Sequence, residues 1–214
     1  MSFFVTSEGG LTAAGYTAFG IAAFIFIVLI SVFASRKRVF DTRCLAFSAV
    51  AIALAMVASM IKIIDMPTGG SVTLLSMLFI VLIGYWYGPA AGITAGVAYG
   101  LLQLLIDPYI ISFPQLLLDY PISFGALGIS GFFSNRKHGL PIGYVAGILG
   151  RTFFAVISGI VFFGSYAPEG TSAFVYSLSY NGLYIFTEAI ITLIVIMIPP
   201  VAKALATVKK MANG

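Results

Sequence analysis

Apolar runs separated by short polar stretches fill most of the chain, which is the pattern of successive membrane-spanning helices. A helix needs about 20 mostly apolar residues to cross the hydrocarbon core of a bilayer. On this criterion the sequence predicts seven spans, at 12–34, 43–64, 73–87, 90–106, 115–133, 140–163 and 173–200. The 73–87 run is short, and the Gly88-Pro89 pair predicts a tight turn between it and the next span.

The first apolar run, 12–34, is as long as a complete span and has no convincing small-residue cleavage site. We therefore interpret it as a retained helix, with a signal-anchor as the alternative.

Composition agrees with an all-α polytopic membrane protein. The 214 residues are 60% hydrophobic and 8% charged, whereas soluble domains carry about 25% charged residues. The single cysteine excludes a disulfide framework within the chain. The net charge of +4 comes from basic residues in the loops between apolar runs, so it indicates membrane orientation rather than nucleic-acid binding.

Three basic clusters follow the first, fifth and seventh predicted spans, and with seven spans they all fall on one side of the membrane. They are 36–38 with Arg43, then 136–137, then Lys203 with 209–210. The positive-inside rule therefore predicts an external N-terminus and a cytoplasmic C-terminus. The opposite side carries three loops rich in Gly, Pro, Tyr and acids, at 64–71, 106–115 and 164–173, which we expect to form a lid or cup.

Three ionisable residues lie well inside predicted spans: Asp119, Arg151 and Glu188. Charged groups at such depth are costly and usually paired or functional. Arg151 and Glu188 lie at similar depths on consecutive helices, so a buried ion pair between them is predicted, with an Asp119–Arg151 pair as the alternative. Asp119 lies nearer the outside, beside Tyr120, and a carboxylate among aromatic rings suits an organic cation.

Other polar and aromatic residues share the outer layer of the last three spans. An outward-facing pocket there would collect them: Tyr109, Gly159, Phe163, Tyr176 and Asn181. The alternatives are ordinary interhelical hydrogen bonding for Asn181 and an interfacial aromatic belt for the Tyr and Phe residues.

The second predicted span contains small residues four apart, Ala49 with Ala53 and Ala51 with Ala55. This spacing permits close helix contact in lipid, so the stripe either packs inside the bundle or faces another protein.

Motifs of catalysis are missing from the sequence. It has no Gly-rich phosphate loop ending in Lys-Ser or Lys-Thr, and its single histidine, His138, lies in a basic loop. An aspartyl intramembrane protease needs two facing carboxylates, and Asp119 alone is available. The sequence therefore predicts a binding protein, not an enzyme, and no cofactor.

Four segments in order resemble the thiamine-specific substrate-binding (S) components of energy-coupling factor transporters. They are PTGGSVTLLSML at 67–78, QLLLDYP at 115–121, SGIVFFGSYAPEG at 158–170 and YSLSYNG at 176–182. The resemblance covers about residues 43–205. It implies a six-helix S-component core at 43–205, preceded by an extra transmembrane helix within 1–42 and followed by a cytoplasmic tail at 206–214.

The resemblance also implies a bacterial cell-membrane protein that binds thiamine and works with a transmembrane coupling protein and two cytoplasmic ATPases. Ala49 and Ala53 match the family's coupling-protein contact. The matching pocket positions are Tyr109, Asp119, Tyr120, Gly159, Tyr176 and Asn181. Asp119 occupies an acidic position that is Glu in a relative, where the carboxylate faces the cationic vitamin.

The sequence departs from that relative at three aromatic or imidazole positions. Phe163 stands where the relative stacks a Trp on the ligand, Ala155 replaces a His, and Gly69 replaces another Trp. Two alternatives therefore stay open: an S component for a thiamine precursor or another vitamin, and a stand-alone proton-coupled thiamine carrier using Asp119 or Glu188.

Overall fold

The computed structural model describes residues 41–66, 70–106 and 108–214, and this part of the chain is almost entirely helical. The predicted span at 12–34 lies outside the described residues. Five described helices are long and apolar enough to cross a membrane, and a sixth has 12 residues. In chain order the helices are α1 Thr42–Met60, α2 Ser76–Tyr87, α3 Pro89–Ile106, α4 Phe113–Phe133, α5 Gly139–Phe163, α6 Ala173–Met197 and α7 Pro199–Asn213.

Helix ends follow local capping chemistry. The Asp41 side chain accepts a hydrogen bond from the Cys44 N–H at 2.7 Å and so caps α1. Gly88, with φ 90°, ends α2, and Pro89 opens α3, as the Gly-Pro pair predicts. The predicted span 173–200 is shorter in the structure, because α6 ends at Met197 and Pro199 begins a separate helix.

A short antiparallel hairpin, β1 Lys62–Asp65 with β2 Ser71–Thr73, joins α1 to α2. It occupies the end of the predicted span 43–64 and the start of the predicted span 73–87. The β-branched Ile63, Ile64 and Val72 favour strand over helix at this point.

The shortest of the six apolar helices, α2, is the central one. Nine of its 12 residues are buried, from Ser76 to Trp86, and α1, α3, α4 and α5 all pack against it. A helix enclosed on all sides is apolar all round, which explains its sequence. The single tryptophan, Trp86, packs edge-on against Phe47 of α1 with ring centroids 6.1 Å apart.

The helix that carries Asp119 is irregular. In α4, residues Leu118–Ile122 form a π-helical turn around Pro121, and Ala126–Phe133 wind as a tighter 3₁₀-helix. Proline lacks the N–H that an α-helix requires, so the backbone widens there. The widened turn contains Asp119. Such π-helical turns are frequent at functional sites.

Glycines let the neighbouring helices approach the backbone of α4. A Cβ on Gly96 of α3 would overlap the Phe124 carbonyl oxygen, and one on Gly143 of α5 would lie 2.8 Å from the Ser130 carbonyl oxygen. Small residues at helix contacts permit such close packing in membranes. The position of α4 is therefore fixed by backbone contacts on two sides.

Replacing Gly96 with Ala is expected to destabilise the protein by about 1–3 kcal/mol, because the added methyl group meets backbone atoms that cannot move aside. Thermal unfolding in detergent, followed by circular dichroism, measures the effect. The matched control is Gly182→Ala, whose Cβ would meet only the Phe186 ring at 3.3 Å. Equal unfolding midpoints for the two variants would contradict the proposed close contact.

The predicted ion pair between Arg151 and Glu188 is wrong. Glu188 is 3% exposed, and its carboxylate accepts hydrogen bonds from the Thr73 N–H at 3.0 Å, the Thr73 hydroxyl at 2.6 Å and the Met77 N–H at 3.2 Å. The Ser76 hydroxyl donates a further bond at 3.3 Å. Unpaired N–H groups at the start of α2 favour an anion, so Glu188 anchors the hairpin and α2 to α6.

The alternative pairing of Arg151 with Asp119 is not formed either. Over residues 41–66, 70–106 and 108–214, the one ion pair joins Lys62 to Asp65 at 3.8 Å in the exposed hairpin. Arg151 instead places its guanidinium carbon 4.2 Å from the centroid of the Phe124 ring.

The last helix, α7, is amphipathic and lies across the ends of α1 and α2. The Lys209 ammonium lies 3.7 Å from the Tyr85 ring centroid and also bonds to the Ser134 carbonyl oxygen. Burial lowers the pKa of Lys209. The predicted tail at 206–214 falls within this helix except for its last residue.

The alanine stripe of α1 is divided between two faces. Ala51 and Ala55 are buried at 3% and 0% exposure, whereas Ala49 and Ala53 are exposed. The exposed face continues in large apolar side chains, among them Val50, Leu54 and Val57. One pair thus packs inside the bundle, and the other lies on a surface open to lipid or to another protein.

Candidate functional site

A cavity of about 490 Å³ opens between α4, α5, α6 and the loop that precedes α4. This is a typical volume for a small-molecule site. All seven binding residues predicted from the sequence line it: Tyr109, Asp119, Tyr120, Gly159, Phe163, Tyr176 and Asn181. The structure thus brings together residues from four separate segments, although their role in binding stays a prediction.

Aromatic rings form the mouth of the cavity. The Tyr109 and Phe163 rings stack with centroids 5.9 Å apart. The centroids of the Phe163 and Tyr166 rings lie 6.2 Å apart. Phe163 thus takes a stacked position at the mouth. Partial burial and the neighbouring Tyr166 hydroxyl raise the pKa of Tyr109, which keeps this phenol neutral.

Gln115 connects the loop at the mouth to the carboxylate of Asp119. Its side-chain nitrogen donates to Asp119 Oδ2 at 2.5 Å and to the Tyr109 carbonyl oxygen at 3.1 Å, and its oxygen accepts from the Ile111 N–H at 3.1 Å. The Tyr120 hydroxyl accepts from the Tyr109 N–H at 3.0 Å. Since Gln115 is only 1% exposed, these bonds hold the loop and the carboxylate in one fixed arrangement.

The carboxylate of Asp119 lies on the wall of the cavity, about six residues or ~9 Å from the outer end of α4. It has no ion-pair partner among the described residues. A buried carboxylate has lost favourable solvation by water. A cationic ligand beside it would compensate for part of that loss.

One face of α6 forms a wall of three tyrosines and the amide side chain of Asn181. Tyr176, Tyr180 and Tyr184 follow each other at four-residue spacing, and their adjacent rings lie 6.2 Å apart. The Tyr184 hydroxyl donates to Asn181 Oδ1 at 3.0 Å, and the Asn181 amide donates to the Ala155 carbonyl oxygen at 3.3 Å. The side chain of Asn181 is thereby oriented by hydrogen bonds to Tyr184 of α6 and to Ala155 of α5.

Gly159 allows this wall to approach α5. A Cβ at this position would overlap the Ser177 hydroxyl oxygen, which donates to the Val156 carbonyl oxygen at 2.9 Å. Gly159 therefore sets the spacing of α5 and α6 at the cavity.

The floor of the cavity is formed by Phe124, Arg151 and Tyr184. Arg151 lies eight residues, or about 12 Å, further from the outer end of α5 than Gly159 does. Tyr184 also contacts the hairpin loop, because a Cβ on Gly70 would lie 2.6 Å from its ring.

Sequence reasoning missed several lining residues: Ser123, Arg151, Tyr166, Ser177, Tyr180 and Tyr184. The four-residue spacing of Tyr176, Tyr180 and Tyr184 was a usable signal, because it places all three on one helix face. Arg151 was missed because its depth suggested a partner in Glu188. No metal-binding group of three or more His, Cys, Asp or Glu occurs among the described residues.

Comparisons with known proteins match most of the chain. A family model described as thiamine transporter protein (Thia_YuaJ) matches residues 45–208. The chain is 42% identical over 163 residues to thiamine transporter ThiT of Bacillus subtilis (strain 168), covering 70% of this chain and 83% of that protein. It is 30% identical over 119 residues to thiamine transporter ThiT of Lacticaseibacillus paracasei, covering 48% of this chain and 59% of that protein.

A solved structure of ThiT from Listeria monocytogenes has a similar fold. The TM-score is 0.63 at 24% sequence identity, and the match covers 84% of this chain and 100% of that one. The predicted all-α polytopic membrane fold is thereby confirmed for the described part of the chain.

Proposed function

Because the chain belongs to the thiamine transporter protein family, we propose that it is the thiamine-binding S component of an energy-coupling factor vitamin importer. The observation that carries this proposal is the carboxylate of Asp119, which lies in an aromatic cavity and has no ion-pair partner in the part of the chain that the structure describes. Thiamine combines a permanent thiazolium cation with a neutral aminopyrimidine, and the cavity offers an anion together with aromatic faces.

In the proposed complex, Asp119 neutralises the thiazolium ring, and Gln115 holds the carboxylate in position. Phe163 and Tyr109 supply faces for stacking at the mouth. Asn181 and Tyr176 hydrogen-bond or frame the aminopyrimidine, since an amide offers both donors and an acceptor. Tyr120 and Gly159 complete the wall, the glycine by letting α5 and α6 approach each other at the cavity.

As an S component the chain would depend on partners for ATP hydrolysis, because the sequence holds no phosphate-binding loop. We propose a transmembrane coupling protein and two cytoplasmic ATPases, with contact through the exposed Ala49 and Ala53 of α1. The cavity then opens to the outside of a bacterial cell, the N-terminus lies outside and the C-terminus in the cytoplasm.

Titration of the purified chain with thiamine in detergent is expected to give tight one-to-one binding without any partner. Calorimetry is the appropriate method, since it needs no optical reporter. An absence of thiamine binding, with tight binding of a pyrimidine precursor instead, would move the proposal to a different ligand. The departures at Phe163 and Ala155 would then be the first positions to examine.

The rival proposal, a proton-coupled carrier, predicts uptake by the chain alone. Glu188 has its carboxylate occupied by hydrogen bonds from Thr73, Ser76 and Met77, which leaves Asp119 as the group that would take up protons. Thiamine uptake into proteoliposomes that hold only this chain, driven by a pH gradient, would favour the carrier. Dependence on co-reconstituted ATPases and ATP would favour the S component.

A further inference from the structure

Asp119 and Arg151 are the two charged residues among the described residues that line the cavity, and the proposed thiamine complex leaves Arg151 unused. Its side chain lines the floor, and its guanidinium carbon lies 4.2 Å from the Phe124 ring centroid. Within the described part of the chain, the guanidinium forms no ion pair, and no hydrogen bond from it is found. The N–H donors of the guanidinium are therefore left without an acceptor among the described residues.

An unpaired guanidinium at this depth is costly. Arg151 lies about 12 residues, or ~18 Å, from each end of α5, which places it near the middle of the membrane. The Phe124 ring compensates part of the charge through its face, but a ring accepts no in-plane hydrogen bond from the guanidinium. Ionisable groups that stay in such positions commonly contact a substrate or water in a cavity.

The cavity thus carries opposite charges at two levels. Asp119 lies on the wall nearer the mouth, and Arg151 lies on the floor. The two do not approach within ion-pair distance, and both line the same cavity, so a ligand in that cavity can reach both. A ligand that occupies this space lengthwise presents one end to a carboxylate and the other to a guanidinium.

We propose that Arg151 is a specificity-determining residue that donates hydrogen bonds to an acceptor at the end of the ligand opposite its cationic ring contact with Asp119. This inference rests on the proposed function and adds to it the chemistry required of the ligand's deep end. In thiamine the acceptor at that end is a pyrimidine ring nitrogen, because the hydroxyethyl arm is carried by the cationic ring itself. The ligand class is therefore a cationic heterocycle with a hydrogen-bond acceptor at its other end.

The sign of one substitution separates this role from simple electrostatics. Arg151→Met removes a positive charge from a cavity that binds a cation, so charge repulsion alone predicts tighter thiamine binding. The proposed donor role predicts weaker binding, by about 10- to 100-fold, which corresponds to a lost hydrogen bond involving a charged group. The measurement is calorimetric titration of the purified variant and wild type with thiamine.

A thiamine analogue with an ethyl group in place of the hydroxyethyl arm tests which end of the ligand Arg151 contacts. If the acceptor is a pyrimidine nitrogen, the full loss caused by Arg151→Met persists with the analogue. Equal binding of the analogue by wild type and Arg151→Met would place the acceptor on the arm of the cationic ring and would overturn the inference.

Lys62→Met is the matched control, since it removes a cation from the exposed hairpin, away from the cavity. It should leave the affinity unchanged. Should Arg151→Met fail to fold, Arg151→Lys carries the test alone, because it keeps the charge and loses the planar pair of donors. Affinity that is unchanged or higher in the Arg151 variants overturns the inference and leaves the proposed function standing. Failure of wild type itself to bind thiamine removes both.

Discussion

Asp119→Asn is expected to weaken thiamine binding by about 100-fold or more, the largest effect of any single change in the cavity. Two unit charges 4 Å apart attract each other by about 4 kcal/mol at an intermediate dielectric constant, and 1.4 kcal/mol corresponds to a tenfold change in Kd. The amide keeps the size of the side chain and removes only the charge. Calorimetric titration of the two proteins with thiamine measures the difference.

Two further variants make this test specific. Asp119→Glu restores the carboxylate and should bind within a few-fold of wild type. Glu169→Gln removes a negative charge from an exposed loop beyond the cavity mouth and should leave the affinity unchanged. If Asp119→Asn binds thiamine as tightly as wild type does, the cation is held by aromatic faces alone, and the proposed role of Asp119 is lost.

Glu188→Ala is expected to lower stability by about 3–5 kcal/mol, because it leaves buried donors at β2 and the start of α2 without an acceptor. For a protein of this size, that corresponds to a fall of roughly 6–20 °C in the midpoint of thermal unfolding. The hairpin should also open more often, since the carboxylate is its bond to α6. Thermal unfolding and amide hydrogen exchange of residues 71–77 measure the two effects.

Thr187→Ala provides the comparison for Glu188→Ala on the neighbouring position of the same helix. The Thr187 hydroxyl bonds only to the Leu183 carbonyl oxygen of its own helix, so its loss should shift the midpoint very little. A normal unfolding midpoint in Glu188→Ala, with unchanged hydrogen exchange at 71–77, would mean that the hairpin is held by other contacts.

The helices were predictable because long apolar runs and Gly-Pro punctuation are local signals. The sequence signal for the π-helical turn at Leu118–Ile122 is weaker. Pro121 indicates a break in α4 but does not indicate how the backbone adjusts to it. The hairpin was missed because Ile61, Ile63 and Ile64 extend the apolar run of α1. Only the pairing of β1 with β2 distinguishes strand from helix there.

Within the candidate site, the sequence predicted residue types better than partnerships. The seven lining residues came from motifs and from depth estimates, and both depend on position along the chain. The partners of Glu188 could not be predicted from position along the chain, because they depend on how α2 is rotated and where the hairpin ends. The Glu188 carboxylate binds the N-terminus of α2 and not Arg151. Spacing rules for charged pairs do not include backbone N–H groups as alternative partners of a carboxylate.

The contact between Trp86 and Phe47 has a spectroscopic consequence. Trp86 is the single tryptophan of the chain, and it lies outside the set of residues that line the cavity. Its fluorescence therefore responds to the packing of α1 on α2. The exposed face of α1 is also the proposed contact with a coupling protein. Emission that stays constant during thiamine titration and shifts when a coupling protein is added would make this residue a built-in reporter of complex assembly, silent to the vitamin itself.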